Sequence, residues 1–397
     1  MIGEAPAAAA GITPLTGYRI GITASRRAAE LGALLVRQGA EVRYAPALRT
    51  APVTSGEQLR AGIDGLIERP AEVLVAFTAT GVRGWVDAAA SWGMAGALLG
   101  ALRGAEVHCR GPATAAAAAA EGLEVVPGPA PLSMAELLDR LSSAGVAGRR
   151  VAVLPPGRPV PSFLAALRAA GAEAVEIPVY RLLPLADREP VDRLVEDTVH
   201  GAIDALAFTS AAAAEGTLGI ARRGGREREL TAAMRSRVLV AAVGPAAAGP
   251  LEEVGVSVVR PDRWRLGAMV HRLAADLAGR SPTYRVAGHS VQVRGQAVVV
   301  DGSLRQLAPA PMAVLRSLAA RPGAVVPRRE LLDCLPQGGE EHAVETAVGR
   351  LRSALGDSRM IETVVKRGYR LRVTRPSSDA SPGSACSATA PVEEPGG

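Results

Sequence analysis

The sequence is poor in aromatic residues and in cysteine. Phe, Trp and Tyr make up 3% of its 397 residues, so the hydrophobic cores must be built from aliphatic side chains. The three cysteines, Cys109, Cys334 and Cys386, lie far apart, with neither the spacing of a metal site nor the even number of a disulfide framework. We therefore expect reduced thiols and no bound metal.

Long apolar runs are absent as well. No stretch approaches the length of about 20 apolar residues that crosses a bilayer. The first residues, MIGEAPAAAAGITPL, lack the basic segment of a signal peptide. These absences predict a cytoplasmic protein that makes no contact with a membrane. A chain of this length suits two or three domains rather than one.

Charge is distributed unevenly along the chain. Residues 284–375 contain 15 basic and 8 acidic residues, a net charge of +7, whereas residues 1–283 carry +2 and residues 376–397 carry −3. A basic domain attached to a nearly neutral body is typical of nucleic-acid-binding proteins. Surface arginines without any such role would give the same count, so charge alone leaves both interpretations open.

Composition also indicates domain boundaries. Residues 1–15 are rich in Ala, Pro and Gly, and residues 376–397 are too polar to bury an ordered core, so both ends are predicted to be disordered. The sequence GRSPTY predicts a linker, which we place at 280–287. The body then spans 16–279 and the C-terminal domain 288–375.

The body contains an internal duplication. Residues 18–48 (YRIGITASRRAAELGALLVRQGAEVRYAPAL) parallel residues 150–182 (RVAVLPPGRPVPSFLAALRAAGAEAVEIPVYRL). Each segment has the pattern of a strand, a turn, an amphipathic helix and a second strand. Strands that alternate with helices form parallel sheets, so the body is predicted to consist of two similar α/β lobes.

A ligand cleft is predicted between the lobes. One strand in each lobe ends in Phe-Thr, at Phe77-Thr78 and Phe208-Thr209, and another precedes Gly-Pro and an Ala-rich helix. Ligands of open α/β sheets bind beyond the carboxyl ends of the strands, where helix N-termini offer free N–H groups to anions. We therefore expect a multiply carboxylated ligand. The candidate ligand-binding residues from this pattern are Arg26, Thr78, Arg83, Arg158, Thr209, Ser210 and Gly244.

The order of motifs in the body resembles that of uroporphyrinogen-III synthase. The motifs RIGIT(x)SR, VAFTATGVRG, RGPATAAAA, VLPPG, IPVYR, AFTSAAA and AAVGPAAA follow one another over residues 17–278. Each motif is weak alone, but the succession is specific. The resemblance implies two flavodoxin-like parallel-sheet lobes joined by a two-stranded ladder, here at 41–48 and 174–182. Lobe one is then expected at 16–40 and 186–279, and lobe two at 53–172.

The resemblance also implies a reaction. The family cyclises hydroxymethylbilane with loss of its terminal hydroxyl and uses no cofactor, mainly by positioning the flexible acidic substrate. Tyr180 in the PVYR motif matches the tyrosine credited with helping that hydroxyl leave, and a phenol is a suitable general acid. An interfacial tyrosine of the ladder is the other interpretation of Tyr180.

The first turn of one helix in each lobe also contains a position that can be compared with the family. Thr114 matches the threonine of the family's GPxTA turn, where its hydroxyl would bind a carboxylate as well as cap the helix. Ala247 occupies the equivalent position in lobe one. This departure favours ligand binding over full catalytic activity.

The C-terminal domain begins with short strands and continues with three helices. Tight turns are predicted at Arg294-Gly295 and Asp301-Gly302. A first helix carries Met312 to Ala319, and a second starts at Pro327 and runs through Leu335. The third helix, at about 340–355, has an apolar stripe of Val344, Val348, Leu351 and Leu355. Its opposite face contains His342, Glu345, Thr346, Gly349, Arg350 and Ser353, which suits either a major groove or solvent.

The segment MIETVVKRGYRLRV alternates around a Lys-Arg-Gly turn and predicts a basic wing. The whole segment 290–375 resembles the winged-helix effector domain of OmpR-type response regulators over about 85 residues, chiefly at ETAVGRLRSALGD and IETVVKRGYRL. The resemblance implies an α+β winged helix that binds double-stranded promoter DNA. The residues predicted to contact DNA are Arg329, His342, Thr346, Arg350, Arg352, Lys366 and Arg367.

These features together predict a transcriptional regulator whose synthase-like body senses a tetrapyrrole or a related acidic ligand. No receiver with a phosphoacceptor cluster precedes the winged helix, so the input must come from the body. Proteins fused in this way resemble actinobacterial regulators of nitrogen and nitrite assimilation. The alternatives are an active uroporphyrinogen-III synthase (a hydro-lyase of tetrapyrrole biosynthesis) with an appended DNA-binding domain, or a body that contacts a partner regulator. Paired operator half-sites would favour a dimer on DNA.

Overall fold

The structure, a computed structural model, describes residues 12–52, 56–127, 133–335 and 341–373. The chain divides into two compact units, Met1–Arg280 and Ser281–Gly397, which are described separately below. Within the described ranges, no helix is long and apolar enough to cross a membrane. Cys109 and Cys334 are free thiols, and Cys386 lies outside the described residues.

The predicted disorder of the two ends concerns residues that mostly lie outside the described ranges, namely 1–11 and 376–397. Leu15, however, is fully buried, and its backbone N–H donates to the carbonyl of Gln38 over 2.8 Å. The ordered body therefore begins before residue 16, because a leucine side chain completes the core under helix 28–37.

Lobe one is built from the two ends of the first unit. Its parallel sheet has five strands in the order β11 (Val258–Val259), β10 (Leu239–Ala242), β9 (Ala205–Phe208), β1 (Arg19–Ile22) and β2 (Glu41–Tyr44). Helices cover both faces of this sheet. Strands such as β9 are therefore apolar throughout. Its elements are β1 (Arg19–Ile22), α1 (Ala28–Arg37), β2 (Glu41–Tyr44), then, after lobe two, α8 (Glu189–Val199), β9 (Ala205–Phe208), α9 (Ala211–Arg223), α10 (Glu227–Ser236), β10 (Leu239–Ala242), α11 (Pro245–Glu253), β11 (Val258–Val259) and α12 (Leu266–Gly279).

Lobe two is a four-stranded parallel sheet of order β5-β4-β6-β7 between two layers of helices. Its last strand extends to Glu176, beyond the predicted limit of 172, because residues 173–176 pair with Arg150–Val153. Its elements are α2 (Gly56–Glu68), β4 (Val73–Ala76), α3 (Ala79–Ser91), α4 (Ala95–Ala101), β5 (Glu106–Cys109), α5 (Pro112–Ala120), α6 (Met134–Ala144), β6 (Arg150–Leu154), α7 (Pro161–Ala169) and β7 (Glu173–Glu176).

The ladder between the lobes is displaced from its predicted position. It consists of β3 (Leu48–Pro52) antiparallel to β8 (Tyr180–Pro184), with Thr50 opposite Leu182. The first parts of the predicted ladder segments 41–48 and 174–182 instead belong to the outer strands β2 and β7 of the two sheets, and only residue 48 and residues 180–182 lie in the observed ladder. The prolines Pro46 and Pro178 lie between sheet strand and ladder strand. Each proline lies two residues after the last residue of its sheet strand, in the short connection that leads into the ladder.

The second unit is a four-stranded antiparallel sheet followed by three helices and a hairpin. The predicted linker 280–287 is wrong for residues 283–286, which pair with residues 289–292 as the first strand of this sheet. The elements are β12 (Thr283–Val286), β13 (His289–Arg294), β14 (Ala297–Val300), β15 (Ser303–Gln306), α13 (Pro309–Ala320), α14 (Arg328–Asp333), α15 (Glu341–Leu355), a 3-10 turn (Ser358–Met360), β16 (Ile361–Val364) and β17 (Gly368–Leu371).

The predicted apolar stripe of the third helix forms the core of this unit. Val344, Val348, Leu351 and Leu355 are each at most 1% exposed. They pack against side chains of α13, α14 and the β16–β17 hairpin. The second helix ends at Asp333, so Leu335 follows the helix rather than ending it, and is still buried against the same core.

Candidate ligand cleft and nucleic-acid interface

A cleft of about 460 Å³ lies between the two lobes of the first unit, at the carboxyl ends of both sheets. Its walls include the first residues of helices α3, α5, α9 and α12. Thr78 caps α3 by accepting the N–H of Gly81 over 3.0 Å, and Ser210 caps α9 by accepting the N–H of Ala213 over 3.2 Å. Several positive helix ends therefore converge on one cavity, as an anion requires.

Five arginines line the same cleft. Three of them, Arg26, Arg83 and Arg158, are predicted from the sequence, while Arg27 and Arg110 are not. Arg27 holds Glu30 in a bidentate ion pair with contacts of 2.6 and 2.7 Å. A guanidinium occupied in this way has less to offer a ligand.

Arg158 connects the two lobes. It follows β6 of lobe two, and its Nη1 lies 2.5 Å from Oε2 of Glu215 on helix α9 of lobe one. The pair links the two lobes beside the cleft, because Arg158 also lines the cavity. A ligand carboxylate would therefore compete with Glu215 for this guanidinium.

Arg110 contacts an aromatic ring, in contrast to Arg27 and Arg158, which hold carboxylates. Its Cζ lies 5.4 Å from the centre of the Phe77 ring, a cation–π contact. Burial lowers the pKa of Arg110, and the charge of Arg158 lowers it further. A partly buried cation in this position gains more from an incoming carboxylate than an exposed one does. The only sequence signal for it is its place before the Gly-Pro turn, a pattern that by itself indicates a turn.

Tyr180 lies at the floor of the cleft, at the start of ladder strand β8. Its side chain is buried, and its Oη is 3.0 Å from Oγ1 of Thr78. Burial raises the pKa of Tyr180, an effect that the Thr78 hydroxyl and the charges of Arg26 and Arg110 reduce. Its phenol therefore remains protonated at neutral pH and can donate a proton into the cleft.

A glycine makes room for the Tyr180 ring. Gly157 has a φ of +76°, and a Cβ there would lie 2.3 Å from Cε2 of Tyr180. Both the backbone conformation and the close ring exclude other side chains. The VLPPG motif thus positions Tyr180 from the opposite side.

The two equivalent helix starts, at Thr114 in lobe two and at Ala247 in lobe one, have different positions relative to the cleft. Thr114 and Thr209 line the cleft, as Thr78 and Ser210 do. Ala247 and Gly244 are not among the lining residues. The space over Gly244 is taken by the indole of Trp264, whose Cγ would lie 3.1 Å from a Cβ at that position. Trp264 itself lines the cleft, and no sequence pattern points to it.

In the second unit, the outer face of α15 is open. His342, Thr346 and Arg350 are exposed, as is Arg329 on α14. Thr346 donates its hydroxyl to the carbonyl of His342 over 3.1 Å, so its side chain lies along the helix. A Cβ added to Gly349 would meet nothing within 4 Å, so space alone does not require glycine. Arg350 is the long cationic side chain at the centre of this face.

Arg352 has a different environment from the one predicted. Its guanidinium donates to the carbonyl of Ile361 over 2.6 and 3.0 Å and to Oγ1 of Thr363 over 2.8 Å. Its Cζ also lies 5.9 Å from the centre of the Tyr369 ring. Arg352 therefore joins the third helix to the wing, and its phosphate contact stays a prediction.

The wing is a hairpin whose turn exposes two cations. Lys366, with a φ of 60°, and Arg367 are both exposed between β16 and β17. Gly368 starts β17 with a φ of +134°, and a Cβ there would lie 2.0 Å from the carbonyl oxygen of Val326. Arg328 lies over Tyr369, 5.3 Å from its ring centre, and was not predicted. These contacts fix the wing to the loop before α14.

Comparison with known proteins assigns both parts. The family model described as "Uroporphyrinogen-III synthase HemD" matches residues 29–271, more than half of the chain. The chain belongs to the uroporphyrinogen-III synthase family. A second family model, "Transcriptional regulatory protein, C terminal", matches residues 302–371. This uroporphyrinogen-III synthase-like body is thus fused to an OmpR-type winged-helix DNA-binding domain, and the predicted fold class is confirmed.

Individual relatives agree with the assignment of the synthase-like body. An uncharacterised protein of Bacillus subtilis (strain 168), YjjA, is 28% identical over 261 residues, which are 66% of this chain and 96% of that protein. A protein of Methanothermobacter thermautotrophicus, provisionally named a uroporphyrinogen-III synthase, is 34% identical over 176 residues, 42% of this chain and 65% of that protein. The structure of a uroporphyrinogen III synthase mutant from Thermus thermophilus aligns with a TM-score of 0.55 at 28% identity, covering 65% of this chain and 99% of that one.

Proposed function

We propose that this protein is a transcriptional regulator that binds operator DNA through its winged helix and senses a tetrapyrrole or a related acidic ligand in its synthase-like cleft. The observation that carries the proposal is the set of five arginines and several helix N-termini around one cavity, in a chain that also has a regulatory DNA-binding domain. Such a cavity suits a polycarboxylate, because cations and helix dipoles both stabilise negative charge.

The DNA-binding part of the proposal is supported by two surfaces of the second unit. Arg350 is exposed at the centre of the α15 face, and Lys366 and Arg367 are exposed at the turn of the wing. A helix of this kind reads base edges in the major groove, while a basic hairpin contacts the backbone or the minor groove.

A regulator that acts on promoter DNA works in the cytoplasm, and paired half-sites would favour a dimer. Nitrogen and nitrite assimilation are the processes that the fused architecture suggests.

The test is a binding experiment on the full chain. Promoter DNA is footprinted first, and operator affinity is then measured without a ligand, with uroporphyrinogen III and with its conjugated form, uroporphyrin III. We expect a change in affinity within the range of about 5- to 150-fold that is usual for coupled sites. The double variant R110A/R158A should keep operator binding and lose the response. Absence of any footprint would overturn the DNA-binding claim, whereas a footprint that no tetrapyrrole affects would overturn sensing.

A second function is favoured by one observation in the cleft. The protonated phenol of Tyr180, held 3.0 Å from Thr78 beneath the cavity, has the properties of a general acid for departure of the substrate hydroxyl. This favours an active uroporphyrinogen-III synthase with an appended DNA-binding domain. The assay is formation of the type III isomer from hydroxymethylbilane above the spontaneous type I background. Loss of that activity in Tyr180→Phe, with tetrapyrrole affinity retained, would identify Tyr180 as its proton donor.

A further inference from the structure

Trp264 is one of the few large apolar side chains exposed on the described part of the body. Its side chain is 42% exposed, although it forms part of the cleft wall. It precedes helix α12 in the sequence Arg263-Trp264-Arg265, and both flanking arginines are exposed. A tryptophan left open in a cavity wall has an indole surface available for a ligand.

The position of the indole is fixed from behind. A Cβ on Gly244 would lie 3.1 to 3.4 Å from Cγ, Cδ1 and Cδ2 of the Trp264 ring. The φ of Gly244 is −177°, an extended conformation open to any residue, so a larger residue here is opposed by the nearby indole and not by the backbone conformation. One face of the indole therefore packs on the backbone of Gly244 while the ring remains accessible from the cleft. An oriented aromatic ring of this kind loses little entropy when a ligand stacks on it.

The rest of the cleft combines cations with apolar surface. The five arginines supply the positive charge, and the apolar lining includes Phe77, Pro156, Leu182, Val243 and Leu266. Arginines alone would suit any small polycarboxylate. The apolar surface and the oriented indole add a preference for a ligand that has a flat ring between its carboxylates.

We propose that Trp264 is a stacking platform that makes the cleft selective for planar, conjugated acidic rings over non-planar acids of the same charge. The proposal rests on the proposed sensing function and narrows its ligand class. It implies that the effector is a fully conjugated macrocycle rather than the flexible chain or the puckered, reduced ring that a synthase handles. Gly244 acts as a positioning residue, because it holds the indole in place without touching the ligand.

The test compares two probes that carry the same carboxylates and differ in conjugation and planarity. Uroporphyrin III is flat and conjugated, whereas uroporphyrinogen III, kept reduced under argon in the dark, has a puckered ring. Each is titrated calorimetrically into the full-length protein and its variants. We expect Trp264→Ala to weaken uroporphyrin binding about tenfold, which is the loss typical when a stacked aromatic is removed, and to leave uroporphyrinogen binding unchanged.

Three variants complete the design. Trp264→Phe should restore most of the uroporphyrin affinity, since it retains a ring. Gly244→Ala should weaken uroporphyrin selectively, because the new Cβ displaces the indole. Arg110→Ala should weaken both probes to the same extent, since it removes charge and not stacking.

The possible failures separate the two proposals. If Trp264→Ala binds uroporphyrin like the unmodified protein, or loses both probes equally, the stacking role is overturned while sensing stands. If the unmodified protein binds uroporphyrin with the expected dependence on Trp264 but operator affinity does not respond, sensing is overturned and stacking stands. If neither probe binds to the unmodified protein, both proposals fall.

Discussion

The arginines of the cleft differ in the contacts that their guanidinium groups already make, and therefore in how readily each can bind a ligand carboxylate. Arg27 already holds Glu30 through two short contacts, and Arg158 holds Glu215. Arg110 instead lies over the Phe77 ring with a pKa lowered by burial. A bound anion would offset the desolvation penalty of the partly buried Arg110 guanidinium. The arginines are therefore expected to contribute unequally to the free energy of ligand binding.

Arg110 should therefore contribute more to ligand affinity than Arg27 does. We expect Arg110→Ala to weaken binding of an acidic tetrapyrrole by about 1.5–3 kcal/mol, the value of a hydrogen bond to a charged group. Arg27→Ala is the matched control and should cost well under about 1 kcal/mol, since its partner is exposed and already bound. Calorimetric titration of both variants checks this, and equal losses would contradict the special role of Arg110.

His289 adds a titrating contact to the C-terminal unit. Its Nδ1 lies 2.6 Å from Asp301 and its Nε2 lies 3.3 Å from Asp357, so one imidazole connects the β14–β15 turn with the segment that follows α15. The hydrogen bond to Asp301 is the main cause that raises the pKa of His289. Arg359 holds the pKa of Asp357 below its usual range, and His289 does the same for Asp301, which also lies near Arg285.

This contact predicts a pH dependence of local stability. A raised histidine pKa adds stability that is complete below the unfolded pKa of about 6.5 and is lost as pH rises through the folded pKa. The two aspartates stay ionised throughout that range. Amide hydrogen exchange in residues 289–306 of the full chain, corrected for its intrinsic pH dependence, should thus show more protection at mildly acidic than at mildly basic pH. His289→Gln should remove the difference, and an unchanged pH profile in that variant would disprove the assignment.

At the scale of elements, the third helix and the wing are joined by Arg352. Its guanidinium contacts Ile361 and Thr363 on β16, and the guanidinium groups of Arg352 and Arg328 both lie over the ring of Tyr369 on β17. Gly368 allows β17 to approach the Val326 carbonyl. The position of the wing relative to the helix is therefore set by the contacts of Arg352 and by Gly368, which has no side chain to keep β17 away from Val326.

Substitution of two arginines of α15, Arg350 and Arg352, should have different effects on DNA binding and on the wing. We expect Arg350→Ala to weaken specific operator binding by about 1–3 kcal/mol and leave hydrogen exchange of the wing unchanged. Arg352→Ala should instead speed exchange in β16 and β17 and weaken binding to all DNA sequences, because the wing loses its anchor. Exchange mass spectrometry and competition with nonspecific DNA distinguish the two. A wing that exchanges normally in Arg352→Ala would show that Arg352 is not the connecting residue.

At the scale of the whole molecule, the wing should determine the response of DNA binding to salt. Each phosphate contact that is lost lowers the slope of log affinity against log salt by about 1. We expect this reduction in Lys366→Ala and in Arg367→Ala, measured on the full chain by fluorescence anisotropy. Arg222→Ala, in an exposed pair with Glu227 of the body, is the control and should leave the slope unchanged. Unchanged slopes in both wing variants would remove the wing from the DNA interface.

Much of the architecture follows from local patterns. The duplicated strand–helix segments predict two parallel lobes, and the stripe of Val344, Val348, Leu351 and Leu355 predicts the buried face of α15, because strand and helix periods are properties of neighbouring residues. The predicted ladder is displaced because each predicted segment contains the end of one strand and the start of the next, and only Pro46 and Pro178 mark the change. The strand Thr283–Val286 falls in the predicted linker because Gly279, Ser281 and Pro282 precede it, and only its pairing with β13 shows that it belongs to the sheet.

The sequence by itself determined which two families of domain the chain contains, where they join to within a few residues, and that one is basic and the other suited to anions. Only the tertiary structure decided which side chains meet: Arg110 with Phe77, Trp264 with Gly244, and Arg352 with the wing. The physical reason is that periodicity and turn chemistry act over a few residues. The partners of an arginine or a tryptophan are instead chosen by packing between segments that lie far apart along the chain.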